Sequence, residues 1–179
     1  MWPWGHVAVA YLLYSAASRR NGDPPEALST AAVGFAALLP DLIDKPLAWY
    51  LGVLPTGRTL AHSFLFVGPL SVAVYLLARR LDRPAIGVAF GIGAVSHLLL
   101  DALPAVWGAG EAGFLLWPIV PVEEYEEGAP TIVALLLDSL SDPYFFSEFV
   151  FVAVALVVWR RDGYPGIRQP RSIWRSDDR

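Results

Sequence analysis

The 179-residue sequence predicts an all-α, polytopic membrane helical bundle, with about five membrane helices plus interfacial helices. Only 17% of the residues are charged and 55% are hydrophobic, whereas an ordinary soluble domain carries about 25% charged residues. Five stretches have no charge in their interior: residues 7–18, 27–40, 64–78, 84–100 and 149–159. Pairs of arginines sit at the ends of these stretches, and threading the stretches through a membrane puts every pair on one side. A soluble all-helical domain with buried helices is the alternative.

The first stretch is shorter than the roughly 20 residues of an ideal span, but Trp2 and Trp4 extend it and Arg19 and Arg20 close it. No basic segment precedes it, so it does not read as a signal peptide. The second stretch reaches Pro40, which is expected to interrupt the helix and begin a new turn. Thr59 is the expected cap of the third helix, placing His62 in its first turn. Arg79, Arg80 and Arg83 mark the turn to the fourth stretch, which ends just before Pro104.

The long connection at 102–147 is not simply polar. Phe114, Leu115, Leu116, Trp117, Pro118 and Ile119 are apolar, and 131–140 can form a short helix. Unpaired backbone cannot face lipid, so this region is expected at the interface, as a lid or substrate platform. Trp2, Trp4, Trp49, Trp107, Trp117, Tyr125 and Tyr144 would fill an outer aromatic belt. The fifth stretch follows Glu148 and ends at Arg160 and Arg161. Residues 1–162 then form the membrane domain. Residues 163–179, with Arg168, Arg171, Arg175 and Arg179, form a basic cytoplasmic tail able to meet anionic lipid.

With five spans and the arginines inside, the N-terminus is outside and the C-terminus cytoplasmic. The outer side then holds His6, Asp41, Asp44, His62, His97 and Asp101, together with Glu111, Glu123, Glu124, Glu126, Glu127, Asp138 and Asp142. Absence of cysteine excludes disulfides and thiolate metal sites. There is no glycine-rich phosphate loop, no dinucleotide fingerprint and no basic face suited to nucleic acid. Ser63 and Ser96 adjoin histidines, but neighbours on a helix do not face each other, which argues against serine proteolysis. Nothing in the sequence sets an oligomeric state.

The three histidines and their acidic companions are the candidate metal site. His97 and Asp101, in S-H-L-L-L-D, share a helix face at i,i+4 and can offer a nitrogen and an oxygen to one divalent ion. A helix-capping His–Asp hydrogen bond is the plainer alternative. Asp41 and Asp44, in L-L-P-D-L-I-D-K, are costly among apolar neighbours unless a cation compensates them. That cation is a metal ion, or else Asp44 pairs with Lys45 or Arg58 while Asp41 caps a helix. His62 at a helix start would stay neutral, the metal-binding form. His6, in W-P-W-G-H, is either a ligand or interfacial packing. Arg58 suits an anionic oxygen beside a metal, or else an ordinary salt bridge.

At these residues the chain resembles the YdjM-like family of membrane-bound, predicted metal-dependent hydrolases. The matching pieces, in order, are G-H at His6, L-L-P-D-L-I-D around Asp41 and Asp44, R-T-L-A-H-S around Arg58 and His62, and S-H-L-L-L-D around His97 and Asp101. The resemblance covers about residues 4–120. It implies a helical membrane protein similar in its metal motifs to zinc-dependent phospholipase C proteins, with His6, Asp41, His62, His97 and Asp101 at metal-site positions. Two departures stand out. Gly57 occupies the place of a histidine that often precedes the motif's arginine, and Ile43 takes the acidic place of P-D-x-D, leaving Asp44 one residue later.

The expected function is metal-dependent hydrolysis at the membrane interface, on a phosphoester of a phospholipid or lipid-linked phosphate. One or two divalent ions, Zn2+ or else Mn2+, would activate water. Asp44, or failing that Asp101, would accept the proton, and Arg58 would stabilise developing negative charge. Amide or carboxylic ester hydrolysis would use similar electrostatics. The rival is a non-catalytic membrane protein that uses the metal or polar cluster for helix packing, ion binding or transport.

Overall fold

In the computed structural model each of the five apolar runs becomes one long helix, and a sixth, short helix lies between the last two. They are α1 (Pro3–Arg20), α2 (Ala27–Trp49), α3 (Phe64–Arg80), α4 (Pro84–Ala102), α5 (Ile132–Ser139) and α6 (Pro143–Arg161). Short 3-10 turns occur at Leu103–Trp107 and Gly113–Leu116. The structure describes residues 1–124 and 131–167, and no strand occurs among them. Tyr125, Glu126 and Glu127 of the acidic connection, and Arg168, Arg171, Arg175 and Arg179 of the tail, lie outside the described residues.

By length and apolarity, α2 and the stretch Pro84–Trp107 can each cross a membrane. Ile132–Ser139 and Tyr144–Arg161, bent by 93° to one another, qualify only as a joined pair, giving two such spans or three. The 18 residues of α1 and 17 of α3 correspond to about 27 and 25 Å of helix, a little under the roughly 30 Å hydrocarbon layer.

Two expected helix boundaries are corrected. α2 does not break at Pro40 but runs through both Pro40 and Pro46 to Trp49. A proline removes one helical hydrogen bond, and here the fully buried Pro40 is held by its neighbours, as helix breakers in membrane bundles commonly are. Thr59 does not cap α3. Ser63 does, accepting the Leu65 N–H at 3.1 Å, so His62 precedes the helix instead of sitting in its first turn.

α4 is the centre of the bundle, packing on α1, α2 and α3. Small residues allow this. A Cβ on Gly93 would lie 2.4 Å from the Val33 carbonyl oxygen, and one on Gly87 would lie 2.5 Å from Tyr75 Cα. Ala36, Ala37, Ala89 and Ala94 are wholly buried along the same seams. Close backbone approach of this kind supplies packing where lipid removes the usual hydrophobic drive between helices.

α6 runs parallel to α1 and is pinned to it at both ends. At the start, the Glu148 carboxylate accepts the Trp2 N–H at 3.0 and 3.1 Å. At the far end, Asp162 accepts from Tyr11 Oη at 2.6 Å, Ser15 Oγ at 2.7 Å and Arg19 Nε at 2.7 Å. Burial opposes charge on Asp162, but the hydrogen bonds from Ser15, Tyr11 and Arg19 prevail and hold its carboxyl below the usual range. Because successive long helices alternate in direction, the pairs Arg19–Arg20, Arg79–Arg80 and Arg160–Arg161 terminate α1, α3 and α6 at this one end.

The opposite end is apolar around its rim. α5 forms where a short helix is expected, capped by Thr131 accepting the Ala134 N–H at 3.1 Å. Ile132, Val133 and Leu137 are exposed, and Trp2 Nε1 donates to Ser139 Oγ at 2.8 Å, tying the helix to the start of α1. Ser63 Oγ donates to the Trp117 carbonyl at 2.7 Å, drawing the Gly113–Leu116 turn onto the start of α3.

Candidate metal centre

The candidate residues converge at the end of the bundle away from the arginine pairs. His6 comes from the first turn of α1, Asp41 and Asp44 from the last turns of α2, His97 and Asp101 from the last turns of α4, and His62 from the connection before α3. The ligand atoms of Asp41, His62, His97 and Asp101 lie within 4.8 Å of one another, and these four can hold a metal ion. All three histidines are fully buried.

Hydrogen bonds fix which imidazole nitrogens face inward. His97 Nδ1 is 2.7 Å from the Ala37 carbonyl oxygen. A carbonyl only accepts, so Nδ1 carries the proton and Nε2 of the neutral ring carries a lone pair. His62 Nδ1 is 2.8 Å from Asp44 Oδ2, and the same logic leaves its Nε2 unprotonated in the neutral ring. The two Nε2 atoms are 3.1 Å apart. Two lone pairs pointing at each other repel, so a cation belongs between them, either a metal ion or a proton.

The carboxylates complete the group. Asp41 Oδ1 is 3.4 Å from His62 Nε2 and 3.8 Å from His97 Nε2. Asp101 Oδ2 is 3.7 and 3.9 Å from the same two atoms. Neither Asp41 oxygen has a partner in hydrogen-bond geometry among the described residues, although Lys45 Nζ lies 2.6 Å from Oδ2. Asp41 Oδ1, buried beside both Nε2 atoms and without a hydrogen-bond partner among the described residues, fits a cation at that centre.

Asp44 sits outside this inner group. Its Oδ2 accepts from Thr59 N at 2.8 Å, His62 N at 3.2 Å and His62 Nδ1 at 2.8 Å, while Oδ1 accepts from Ala61 N at 2.8 Å. Both oxygens accept buried N–H groups, and Asp44 is not among the four residues whose ligand atoms converge. The carboxylate instead orients His62, the arrangement by which outer carboxylates steady ligating histidines.

His6 stacks on His97 with ring centroids 3.8 Å apart. Its Nε2 is 3.1 Å from Asp101 Oδ1, within ion-pair range, yet neither ring nitrogen has a hydrogen-bond partner among the described residues. His6 thus lies against the His97 ring and faces Asp101 Oδ1, while His62 and His97 face Oδ2. Arg58 Nε is 3.0 Å from Asp101 Oδ2, with its side chain 46% exposed. The alternative partners expected for Asp44 go elsewhere: Lys45 pairs with Asp41 and Arg58 with Asp101.

His62 is not kept neutral by a helix terminus, since it lies outside the helix. Burial opposes its protonation, but the adjacent carboxylates of Asp41 and Asp44 outweigh that and raise its pKa. The place of the missing histidine is also explained locally: a Cβ on Gly57 would lie 3.2 Å from Trp49 Nε1 and 3.3 Å from Lys45 Cγ. Two contributors were not foreseen. Ala37 acts through its carbonyl, which no side-chain pattern reveals. Glu148 is buried and fixes the residue four before His6 through Trp2; its signal is a lone carboxylate inside an apolar helix.

Fold and site together define a helical membrane protein carrying a buried histidine–aspartate cluster, able to hold a metal, at one end of its bundle. The chain belongs to the YdjM inner membrane protein family, whose model matches residues 1–164. No curated protein and no solved structure matches it.

Proposed function

We propose that the protein is a metal-dependent hydrolase acting at the non-cytoplasmic face of the membrane, on a phosphoester of a phospholipid or lipid-linked phosphate. The observation that carries this reading is the pair of inward-facing Nε2 atoms of His62 and His97, 3.1 Å apart and flanked by Asp41 and Asp101. Two imidazoles and two carboxylates suit zinc first and manganese second, with His6, stacked on His97 and facing Asp101 Oδ1, as the residue that would serve a second ion. When bound, such an ion supplies Lewis acidity to an ester oxygen and makes water more acidic.

The chain's own groups divide the remaining work. Asp44 holds His62 in the tautomer that presents Nε2, and Ala37 does the same for His97. Arg58, half exposed beside Asp101, binds an anionic oxygen of the substrate and stabilises charge that develops on it. Asp101, which lines the converging group, takes the proton at Oδ1, the oxygen that faces His6 at 3.1 Å and the Met1 ammonium at 3.4 Å. In the membrane we place the arginine end in the cytoplasm, with five helices crossing and 163–179 as a basic tail.

A second reading, a metal-free polar cluster that locks helices, has one observation in its favour. Protonated His62, Lys45, Arg58 and the Met1 ammonium can offset the charges of Asp41, Asp44 and Asp101 without any ion. Elemental analysis of detergent-purified protein, followed by phosphoester turnover, separates the two. The hydrolase reading expects about one or two ions per chain, lost in His97→Ala and Asp101→Ala. It expects Arg58→Ala to keep the metal and lose turnover. No metal after reconstitution, or equal unfolding of all three variants, leaves the structural cluster as the better account.

A further inference from the structure

Below the cluster, α1 packs against both α2 and α6, and the space between the latter two is an open apolar groove of about 620 Å³. Ala8 and Tyr11 of α1 form its floor, Gly34 and Leu38 of α2 one wall, and Ala155 and Trp159 of α6 the other. Its volume lies in the range of small-molecule sites. From Thr30 to Leu38 it follows α2 for about 12 Å.

The groove and the cluster are joined along one face of α2. Thr30, Gly34, Leu38, Asp41 and Lys45 recur at steps of four, four, three and four residues, a single helical stripe. Its lower part lines the groove, Asp41 belongs to the metal-capable group, and Lys45 lies one turn further. An occupant would therefore be apolar along its length and meet charge at its top. Burial alone does not choose the occupant, because lipid tails are as apolar as the groove. The charged top does. The Lys45 and Arg58 side chains, paired inward with Asp41 and Asp101, are still 30% and 46% exposed there, and the donors they turn outward favour an anionic head.

We infer that the groove between α1, α2 and α6 seats one alkyl or acyl chain of a lipid whose phosphate head lies at Lys45 and Arg58. This makes the substrate a single lipid molecule entering sideways from the bilayer. The inference rests on the hydrolase reading for what happens to the head group, but the binding itself requires no turnover.

The test is photolabelling of the full chain in detergent micelles, using a lysophosphatidic acid with a diazirine midway along its chain, and adducts mapped by mass spectrometry. Adducts are expected on groove residues of α1, α2 and α6. Gly34→Leu fills the groove without displacing backbone, since a Cβ there meets only Val7 Cγ1 at 4.0 Å. Overfilling should cut groove labelling by about tenfold. Gly68→Leu, on α3 with nothing within 4 Å of its Cβ, should label like the wild type. The same chain ending in an alcohol should label about tenfold less, and Lys45→Ala with Arg58→Ala should bring the phosphate probe down to that level.

Adducts scattered over the outward faces of α3 and α6, undiminished labelling in Gly34→Leu, or equal labelling by the alcohol would each overturn the inference. Groove labelling by a protein that hydrolyses no phosphoester would keep it and sink the hydrolase. Turnover with an unlabelled groove would do the reverse.

Discussion

Replacing Asp44 with asparagine tests whether the metal-capable group depends on a residue that does not face it. The carboxylate accepts four N–H groups, three at Oδ2 and one at Oδ1. An amide has only one accepting atom, so in either orientation its NH2 meets at least one buried N–H. The better orientation keeps oxygen towards Thr59 and His62 and turns the NH2 on Ala61. Leaving that donor unsatisfied costs about 1–3 kcal/mol. A neutral oxygen also holds the His62 ring about half as strongly as a charged one. Loss of such an outer partner typically weakens metal affinity about 10–100-fold, or roughly 1.4–2.8 kcal/mol. Chelator competition should show that weakening with the full number of ions still bound at saturation, and thermal melts of the metal-free protein should fall by a similar free energy. Wild-type affinity in Asp44→Asn would refute the reasoning. Complete loss of the ion, with the metal-free protein melting normally, would make Asp44 a ligand and refute it differently.

Two further outcomes follow from the packing. Asp162→Asn should destabilise by about 2 kcal/mol at neutral pH, since it replaces a charged acceptor of three side-chain hydrogen bonds. The folded pKa of Asp162 is depressed, so its contribution is present above the unfolded carboxylate value and fades as pH falls through the folded one. Melts from pH 7 downward should therefore show wild type and variant converging in acid, and a constant gap would count against the latch. Gly93→Ala should cost about 1–3 kcal/mol, because its Cβ meets the Val33 carbonyl at 2.4 Å and backbone must shift. It should also weaken metal binding, as α4 carries His97 away from Ala37. Unchanged stability would mean that the seam is looser than its distances.

The helices could be read from the sequence because charge depletion and arginine punctuation are local signals. So could the His97–Asp101 pair, whose i,i+4 spacing needs only a helix to bring it to one face. What escaped was non-local. The spacing of Asp41 and Asp44 shows a shared side but not which carboxylate reaches inward. That depends on the Thr59, Ala61 and His62 N–H groups, which arrive from a connection 15 to 18 residues later and claim Asp44. Pro40 was misread because local propensity marks it as a break, whereas burial between neighbouring helices carries α2 past it. The cap of α3 falls on Ser63 and not on Thr59, whose N–H is bound by Asp44 within the preceding connection.

The carbonyl of Ala37 has a consequence for how the family can vary. It grips His97 with a main-chain atom, so a replacement at 37 acts on the contact only through packing, and none can tune it by changing the donor or acceptor type. What sets the imidazole is the axial alignment of two helices whose backbones nearly touch. A slip of α2 along α4 by a single residue, about 1.5 Å, would carry the carbonyl off the ring nitrogen. An insertion or deletion between Ala37 and Asp41 would leave the grip intact but carry Asp41 to another azimuth. The contact is thus indifferent to side-chain polarity at position 37 but not to side-chain size, and it is intolerant of changes in chain length beside it.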